Sequence, residues 1–500
     1  MLHEGATTCF LLNFLTQPMR VLFSIRQGDP LSMLLYIIYI EPLLLMIRRK
    51  TRGLSISFFV QKDDDYCDDL NFLSESEDDL LKIDDVFVKF ENISGAILSR
   101  SWKSKVMGLG PWKGRELWPL PWLKHKPELK IFGFQITPVY KKTLERCWVE
   151  CFSGFHKTLM SWSSRQLESL VQRVEVLRVF ATSKLWYKAS ALPLPVKFAK
   201  QFEAAMVRFL WIGKLEKLKI DEIKNPVLCG GLNLPCIVSR ADSLFLTQTC
   251  RLLKDPASKQ YSHVRYWLGL YVKDLFPEMG PGPHAEILSP YFLHMKSLLV
   301  GAVILGDIDV KKLKLVTAKE LYKGFTSTFP PPKVVFKYDV DWVQVWTRLQ
   351  NPVLDILGRE ILFMIIHNII ANKDRVFKFN MIASPNCLTC GVVQDNVHLF
   401  CECANVQEAW FWMRQRLLGL LPEDGGKVLN FEFVNLMFIS SQFDNEIVWL
   451  LGIYVQQVWN NVICKKNFLS QIQIKTECSQ QFINNQVSNR PSLVNIIGLI

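Results

Sequence analysis

Arg26-Gln27-Gly28-Asp29-Pro30-Leu31-Ser32 and, further along, Tyr66-Cys67-Asp68-Asp69-Leu70 are the two stretches whose reading decides the fold of the first part of the chain. The first is a turn at Gly28 that leads into the apolar run Pro30 to Ile47. That run has nearly the length of a membrane span but contains Glu41, and it reads as a buried helix. The second places adjacent carboxylates, Asp68 and Asp69, ahead of the apolar Leu70-Asn71-Phe72-Leu73. An isolated Asp-Asp pair is more often a solvated turn. Adjacent aspartates on a hairpin can also hold Mg²⁺, a hard cation that takes carboxylate oxygens, and nucleotidyl transfer uses two such ions roughly 3.5–4 Å apart.

The two strings, in this order, resemble the nucleotide-positioning turn and the metal-binding hairpin of reverse transcriptases, and the sequence downstream of them is similar to the non-LTR, LINE-type branch of that family. Phe90-x₃-Ser94-Gly95-Ala96-x-Leu98, with Lys103-Ser104-Lys105 and Gly108-Leu109-Gly110, resembles the next palm motif. Ile131-Phe132-Gly133-Phe134 resembles the primer-side strand. Ser161-Trp162, Ser183-Lys184-Leu185-Trp186-Tyr187 and Ala191-Leu192-Pro193-Leu194-Pro195 resemble the helical thumb, and Phe209-Leu210-Trp211 and Gly230-Gly231-Leu232-Asn233-Leu234-Pro235 continue the match. The resemblance runs from about residue 2 to 250 and resumes near 340. It implies RNA-directed DNA synthesis on an RNA template with a DNA primer or target. Asp68 and Asp69 would hold Mg²⁺, Arg26, Gln27, Gly28 and Pro30 would shape the turn, and Tyr66, Lys103 and Lys105 would contact nucleotide or template.

The chain also departs from that pattern. The family usually has Cys or Phe where Asp29 stands and Ala where Cys67 stands. Asp63-Asp64-Asp65 occupies the segment leading into the hairpin, where a buried palm strand is apolar. Either the strand carries these acids, or they form an exposed turn and the strand lies at Leu54 to Val60. The family needs a further aspartate upstream of the first string, and residues 1–25 contain none. The expectation is therefore an amino-terminally truncated, inactive polymerase fragment, and the alternative is a non-catalytic nucleic-acid-binding remnant of a transposable element.

A second cluster is Cys387-x₂-Cys390-x₇-His398-x₄-Cys403, three thiolates and an imidazole at a spacing suited to tetrahedral Zn²⁺. Cys401 competes with Cys403 as fourth ligand. The segment resembles the zinc-binding region found downstream of such polymerases, and Trp342-x₃-Trp346, Leu362-Phe363-x₃-His367-Asn368 and Asn372-Lys373-Asp374-Arg375-Val376 resemble the helices before it. Four protein ligands leave no open position, so the zinc is expected to be structural.

The expected fold class is α+β: an incomplete right-hand palm at 1–140, a helical thumb at 141–250, a helical connection with Pro- and Gly-rich loops at 251–340, a small zinc unit at 341–420, and a helix with a frayed tail at 421–500. In the thumb, Leu167, Leu170, Val171, Val174, Leu177, Arg178 and Ala181 share one helical face, with Gln166, Glu168, Gln172 and Arg173 turned outward. Arg165, Arg173, Arg178 and Lys184 are the candidate phosphate contacts there.

Composition agrees. Hydrophobic residues make up 49% of the 500 and aromatics 12%, ample for packed cores. The formal charge is +12 although Asp63 to Asp85 is strongly acidic, which favours a polyanionic partner. Thirteen cysteines, an odd number, and no signal-peptide succession point to a reducing compartment, with the chain expected in nucleus or cytoplasm as a ribonucleoprotein, neither secreted nor membrane-bound.

Overall fold

A computed structural model describes residues 7–8, 19–20, 30–56, 59–61, 63–66, 69–97, 99–100, 103–165, 167, 169–213, 217–254, 256–257, 259–305, 315–327, 329–337, 340–420, 444–463 and 469–487. The chain divides into two compact units. Unit 1 combines Met1–Glu150 with Gln248–Val316, and unit 2 combines Cys151–Thr247 with Thr317–Ile500.

Unit 1 begins with the short pair β1 (Thr7–Thr8) and β2 (Met19–Arg20), followed by α1 (Pro30–Lys50). Arg48, Arg49 and Lys50 in the last turn of α1 complement its dipole. Among its described side chains the helix is buried along one side. Leu43 and Ile47 pack with Ile83, Val86, Phe87 and Phe90 of α2 (Glu77–Ser94), while Ile37 and Ile38 are 52% and 69% exposed. No helix among the described residues is long and apolar enough to cross a membrane. Ser76 caps α2 by accepting the Asp79 amide, and Gly95, at φ 73°, ends it in the left-handed conformation. Asp79 is buried, and its carboxylate accepts the amides of Arg52 and Gly53 at 3.0 Å each, locking the segment after α1 onto α2.

Between the two helices lie two hairpins. β3 (Leu54–Ile56) pairs with β4 (Phe59–Gln61), and β5 (Asp63–Tyr66) pairs with β6 (Asp69–Phe72) in the register Asp63↔Phe72 to Tyr66↔Asp69. The triple-aspartate run is thus a strand, and Leu54–Ile56 and Phe59–Gln61 pair with each other separately. Further on, β7 (Lys105–Val106) runs parallel to β8 (Lys124–His125), and β9 (Leu129–Ile131) pairs antiparallel with β10 (Phe134–Ile136). Among the described residues strands pair only two by two. Helices α3 (Tyr140–Ser163) and α8 (Ile237–Leu252) belong partly to each unit, and α9 (Lys259–Val272) and α10 (Pro290–Leu305) complete unit 1.

In unit 2 the expected thumb helix starts at α4 (Leu170–Val176), whose capping box has Ser169 accepting the Gln172 amide while the Gln172 side chain accepts the Ser169 amide. A π-helical turn, Leu177–Ala181, then leads into α5 (Ser183–Ala191). Leu170, Val174, Leu177 and Ala181 are buried as the periodicity predicts, but the two arginines are exchanged. Arg173 is buried, its Nη1 donating to the Leu167 carbonyl at 2.8 Å, and Arg178 is exposed and pairs with Glu175. A uniform period of 3.6 residues does not hold through this stretch: the π-turn closes i→i+5 bonds, so the phase shifts where Arg178 stands. α6 (Val196–Leu210) follows, burying Phe202 edge-on against Phe155 of α3.

The string Gly230-Gly231 is the hub of unit 2. α7 (Ile220–Lys224) is followed by a tight 3₁₀ turn ending at Gly230, φ 81°, after which the Leu232 amide donates back to Ile223 and the Asn233 amide to Asn225. A Cβ on Gly230 would lie 2.6 Å from the Trp346 ring, and one on Gly231 would lie 2.0 Å from the Asn225 carbonyl. Asn225 Nδ2 donates to Pro330, so the proline string 330–332 packs over this loop. α11 (Ala318–Thr326), α12 (Trp342–Leu349) and α13 (Ile356–Ile366) follow. His367, 9% exposed, directs Nε2 to the Gly230 carbonyl at 2.9 Å and stacks on Trp346 with ring centroids 5.3 Å apart.

Gly230→Ala should cost unit 2 on the order of 2–4 kcal/mol in urea unfolding, since both the positive φ and the indole oppose a methyl group; an unchanged midpoint would contradict this. Burial holds the His367 ring down at about 4, against a weaker opposing effect of the Gly230 carbonyl. The unfolded chain, titrating near 6.5, therefore binds the extra proton first as pH falls. Stability is complete above about 6.5 and should drop by about 3 kcal/mol by pH 4. In His367→Gln the slope of stability between these pH values should be flatter, and an identical slope would remove His367 as its source.

Candidate metal centre

The first half of the centre is a tight turn. The Cys387 amide donates to Val392 at 2.7 Å, the Gly391 amide donates to Cys387 at 2.9 Å, and Asn386 and Val393 form an antiparallel bridge. Gly391 takes φ 73°, which lets the chain reverse and presents Cys387 and Cys390 on one side. The second half is a π-turn, His398–Glu402, whose first amide donates to the Asp395 carboxylate at 2.8 Å. The Cys403 amide donates to the His398 carbonyl at 2.8 Å, an i→i+5 bond that ties these two donors together.

The donor atoms of Cys387, Cys390, His398 and Cys403 all lie within 4.8 Å of one another. The Cys403 sulfur is 3.8 Å from that of Cys387 and 3.9 Å from that of Cys390. Four ligands at tetrahedral angles with Zn–S of about 2.3 Å require sulfur separations of about 3.8 Å, so the observed spacing fits the ion. His398 Nε2 is buried and makes no directed hydrogen bond, although its ring helps stabilise the Cys387 thiolate. Burial raises the Cys387 thiol, but the Cys390 amide, the His398 ring, the Thr389 amide and Cys403 together outweigh it and bring it down to about 6. Burial and the neighbouring cysteines push Cys403 up to about 12. An ion would take the place of the shared proton and satisfy the imidazole. Cys401 stands apart from the four, buried, its thiol pushed up mainly by burial. The choice between Cys401 and Cys403 falls to Cys403.

The surroundings hold these donors firmly. The Ala404 amide reaches Cys390 Sγ at 3.4 Å, and Asn405 Nδ2 donates to the Thr389 hydroxyl at 3.0 Å. Asn372 caps α14 (Lys373–Lys378), and Lys373 Nζ donates to the Asn386 carbonyl at 3.0 Å. α15 (Gln407–Leu420) and α16 (Asp444–Ile463) cover the other side, with the Tyr454 hydroxyl of α16 donating to the Phe400 carbonyl and its ring beside Trp410. The Leu469 amide, just ahead of α17 (Gln471–Val487), donates to Asn405 at 2.9 Å. Sequence reasoning did not single out Asp395 or Tyr454. Asp395 had a signal, an acid three residues ahead of His398 in the capping position, and Tyr454 had none.

Of the other candidate residues, Arg26, Gln27, Gly28 and Asp68 lie outside the described residues. Pro30 is the first residue of α1. Tyr66 and Asp69 face each other across the last rung of the β5–β6 hairpin, with Cys67 and Asp68 between them in sequence. Lys103 and Lys105 are exposed.

The purified chain should contain about one zinc per molecule by elemental analysis. Cys387→Ser with Cys390→Ser should abolish it, whereas Cys401→Ser should keep it. Zinc lost from the Cys401 variant, or kept in the double variant, would show that another ligand set operates.

No family model matches the chain. It is 27% identical over 267 residues to the "Transposon TX1 uncharacterized 149 kDa protein" of Xenopus laevis, an alignment covering 49% of this chain and 19% of that protein, so the chain spans about a fifth of the relative's length.

Proposed function

We propose that the chain derives from a non-LTR retrotransposon and is a reverse-transcriptase segment that engages RNA template and DNA primer or target. The observation that carries this is the likeness of half the chain to a transposon protein. The polymerase strings in their order support the finer assignment to a reverse transcriptase, as does a hairpin whose pairing puts Cys67 and Asp68 between the ends of its two strands. In this reading Asp68 and Asp69 hold Mg²⁺, which supplies charge neutralisation at the transferred phosphate. Arg26, Gln27, Gly28, Pro30 and Tyr66 position nucleotide and template, and the exposed Lys103 and Lys105 face phosphate. The cysteine–histidine cluster is a structural zinc site that braces part of unit 2.

One observation favours the second reading, a nucleic-acid binder without catalysis. Asp63, Asp64 and Asp65 form most of β5, a stretch that is apolar in a buried palm strand.

Affinity for an RNA–DNA duplex should fall linearly in log–log form with salt, on the order of a hundredfold between 50 and 200 mM for about four phosphate contacts. Binding that is absent at low salt or indifferent to salt would overturn both readings. Primer extension with Mg²⁺ on an RNA template is expected to be undetectable; extension that disappears in Asp68→Ala with Asp69→Ala would establish the catalytic reading instead.

A further inference from the structure

Residues 152–173 and 201–213 of unit 2, from the second half of α3, α4 and α6, enclose a groove of about 900 Å³. That is within the range of ligand clefts, roughly 300–1,000 Å³. Its floor is apolar, with Leu159 and Phe209 buried, and the small side chains of Ala204 and Ala205 leave it open. Ring systems form its walls. Phe152 lies 6.1 Å from His156 between centroids, and the Arg165 guanidinium lies 4.2 Å over the Trp162 ring.

The charge around this apolar interior has one sign. Arg165, Arg173 and Arg208 line it, and no Asp or Glu is among its described lining residues. Arg165 and Arg208 are exposed. Arg173 is not: it is 8% exposed, its Nη1 is engaged by Leu167, and its Nε has no hydrogen-bond partner. Glu360 exerts an opposing charge on it, but a Glu360 oxygen accepts the Leu170 amide at 2.8 Å. A buried guanidinium N–H without an acceptor is rare in folded proteins; Glu360 supplies the opposing charge here, so the exposed Arg165 and Arg208 are the cations open to a ligand.

We propose that this groove accepts unstacked bases of a single-stranded nucleic acid, continuing the Trp162–Arg165 stack, with Arg165 and Arg208 facing its phosphates. The proposal rests on the reading of the chain as a nucleic-acid binder and narrows it. Bases paired inside a duplex cannot enter an apolar groove, whereas splayed single-stranded bases stack on aromatic and guanidinium planes. Two exposed cations on the lining match a polyanion better than the single carboxylate of a fatty acid.

The test uses the full chain and fluorescence anisotropy with three probes: a labelled oligodeoxythymidylate, an abasic oligonucleotide of the same length and charge, and a duplex. The abasic strand should bind about tenfold more weakly than the natural one, because it keeps the phosphates and loses the stacking. Ala204→Trp, which fills the groove from an exposed position, should erase that difference, as should Arg208→Ala in part, with unchanged thermal unfolding. Equal affinity for natural and abasic strands, a preference that survives both substitutions, or displacement of the oligonucleotide by dodecanoate at equimolar concentration would overturn the proposal. In those cases salt-sensitive duplex binding would leave the wider reading standing, while failure to bind any of the three probes would remove both.

Discussion

The hydrogen bond from the buried His367 ring to the Gly230 carbonyl joins positions 137 residues apart, and much of unit 2 depends on it. To donate, the ring must carry its proton on Nε2, and burial favours the neutral form of the ring. To be reached, Gly230 must bring its backbone against Trp346, which only a residue without a side chain can do at that φ. Trp346 stacks on His367 and on Trp342, so α12 is held by the same ring. From α12 the constraint passes on: Arg348 Nη2 donates to both carboxylate oxygens of Asp444, each at 2.9 Å, which anchors the start of α16, the helix whose Tyr454 grips the metal centre.

What could be read in the sequence was whatever is local. The four metal donors lie within one short stretch, where residue type and spacing nearly determine the chemistry, and two thiols two residues apart left the fourth ligand open until the fold placed Cys403 with the other three. The π-turn turned Arg178 outward, whereas Arg173 lies ahead of it in regular helix, on the face that Leu170, Val174 and Leu177 share, and its burial follows the ordinary period. The Gly230 string and the tryptophan helices were each noticed, but that they meet could not be read, because nothing in either stretch encodes its partner. A cavity is less legible still. The groove between α3 and α6 is made by what the alanines leave unfilled.

The acidic stretch 63–85 shows a related limit. Counted as letters it is a block of repelling carboxylates, yet within α2 much of the charge is matched locally. Asp78 pairs with Lys82, Asp85 with both Lys50 and Lys89, and Asp84 with Arg100, while Asp79 is consumed by backbone amides. Each surface pair contributes little to stability. Together they leave little net charge on this face of α2.

The wiring of the metal centre has a consequence for the order in which the chain acquires its structure during synthesis. Cys387 to Cys403 close a loop of low sequence separation, so the site can assemble as soon as that stretch leaves the ribosome. Tyr454 and the Leu469 amide, which fasten onto the carbonyls of Phe400 and Asn405, arrive only after a further stretch of translation. A nascent chain therefore passes through an interval in which the donors are complete but the helices that cover them are not. Ion capture in that interval meets donors that α16 does not yet brace, whereas in the finished fold only Cys390 of the four is partly exposed. The helix thus acts after the ion, fixing a turn that short-range contacts have already formed.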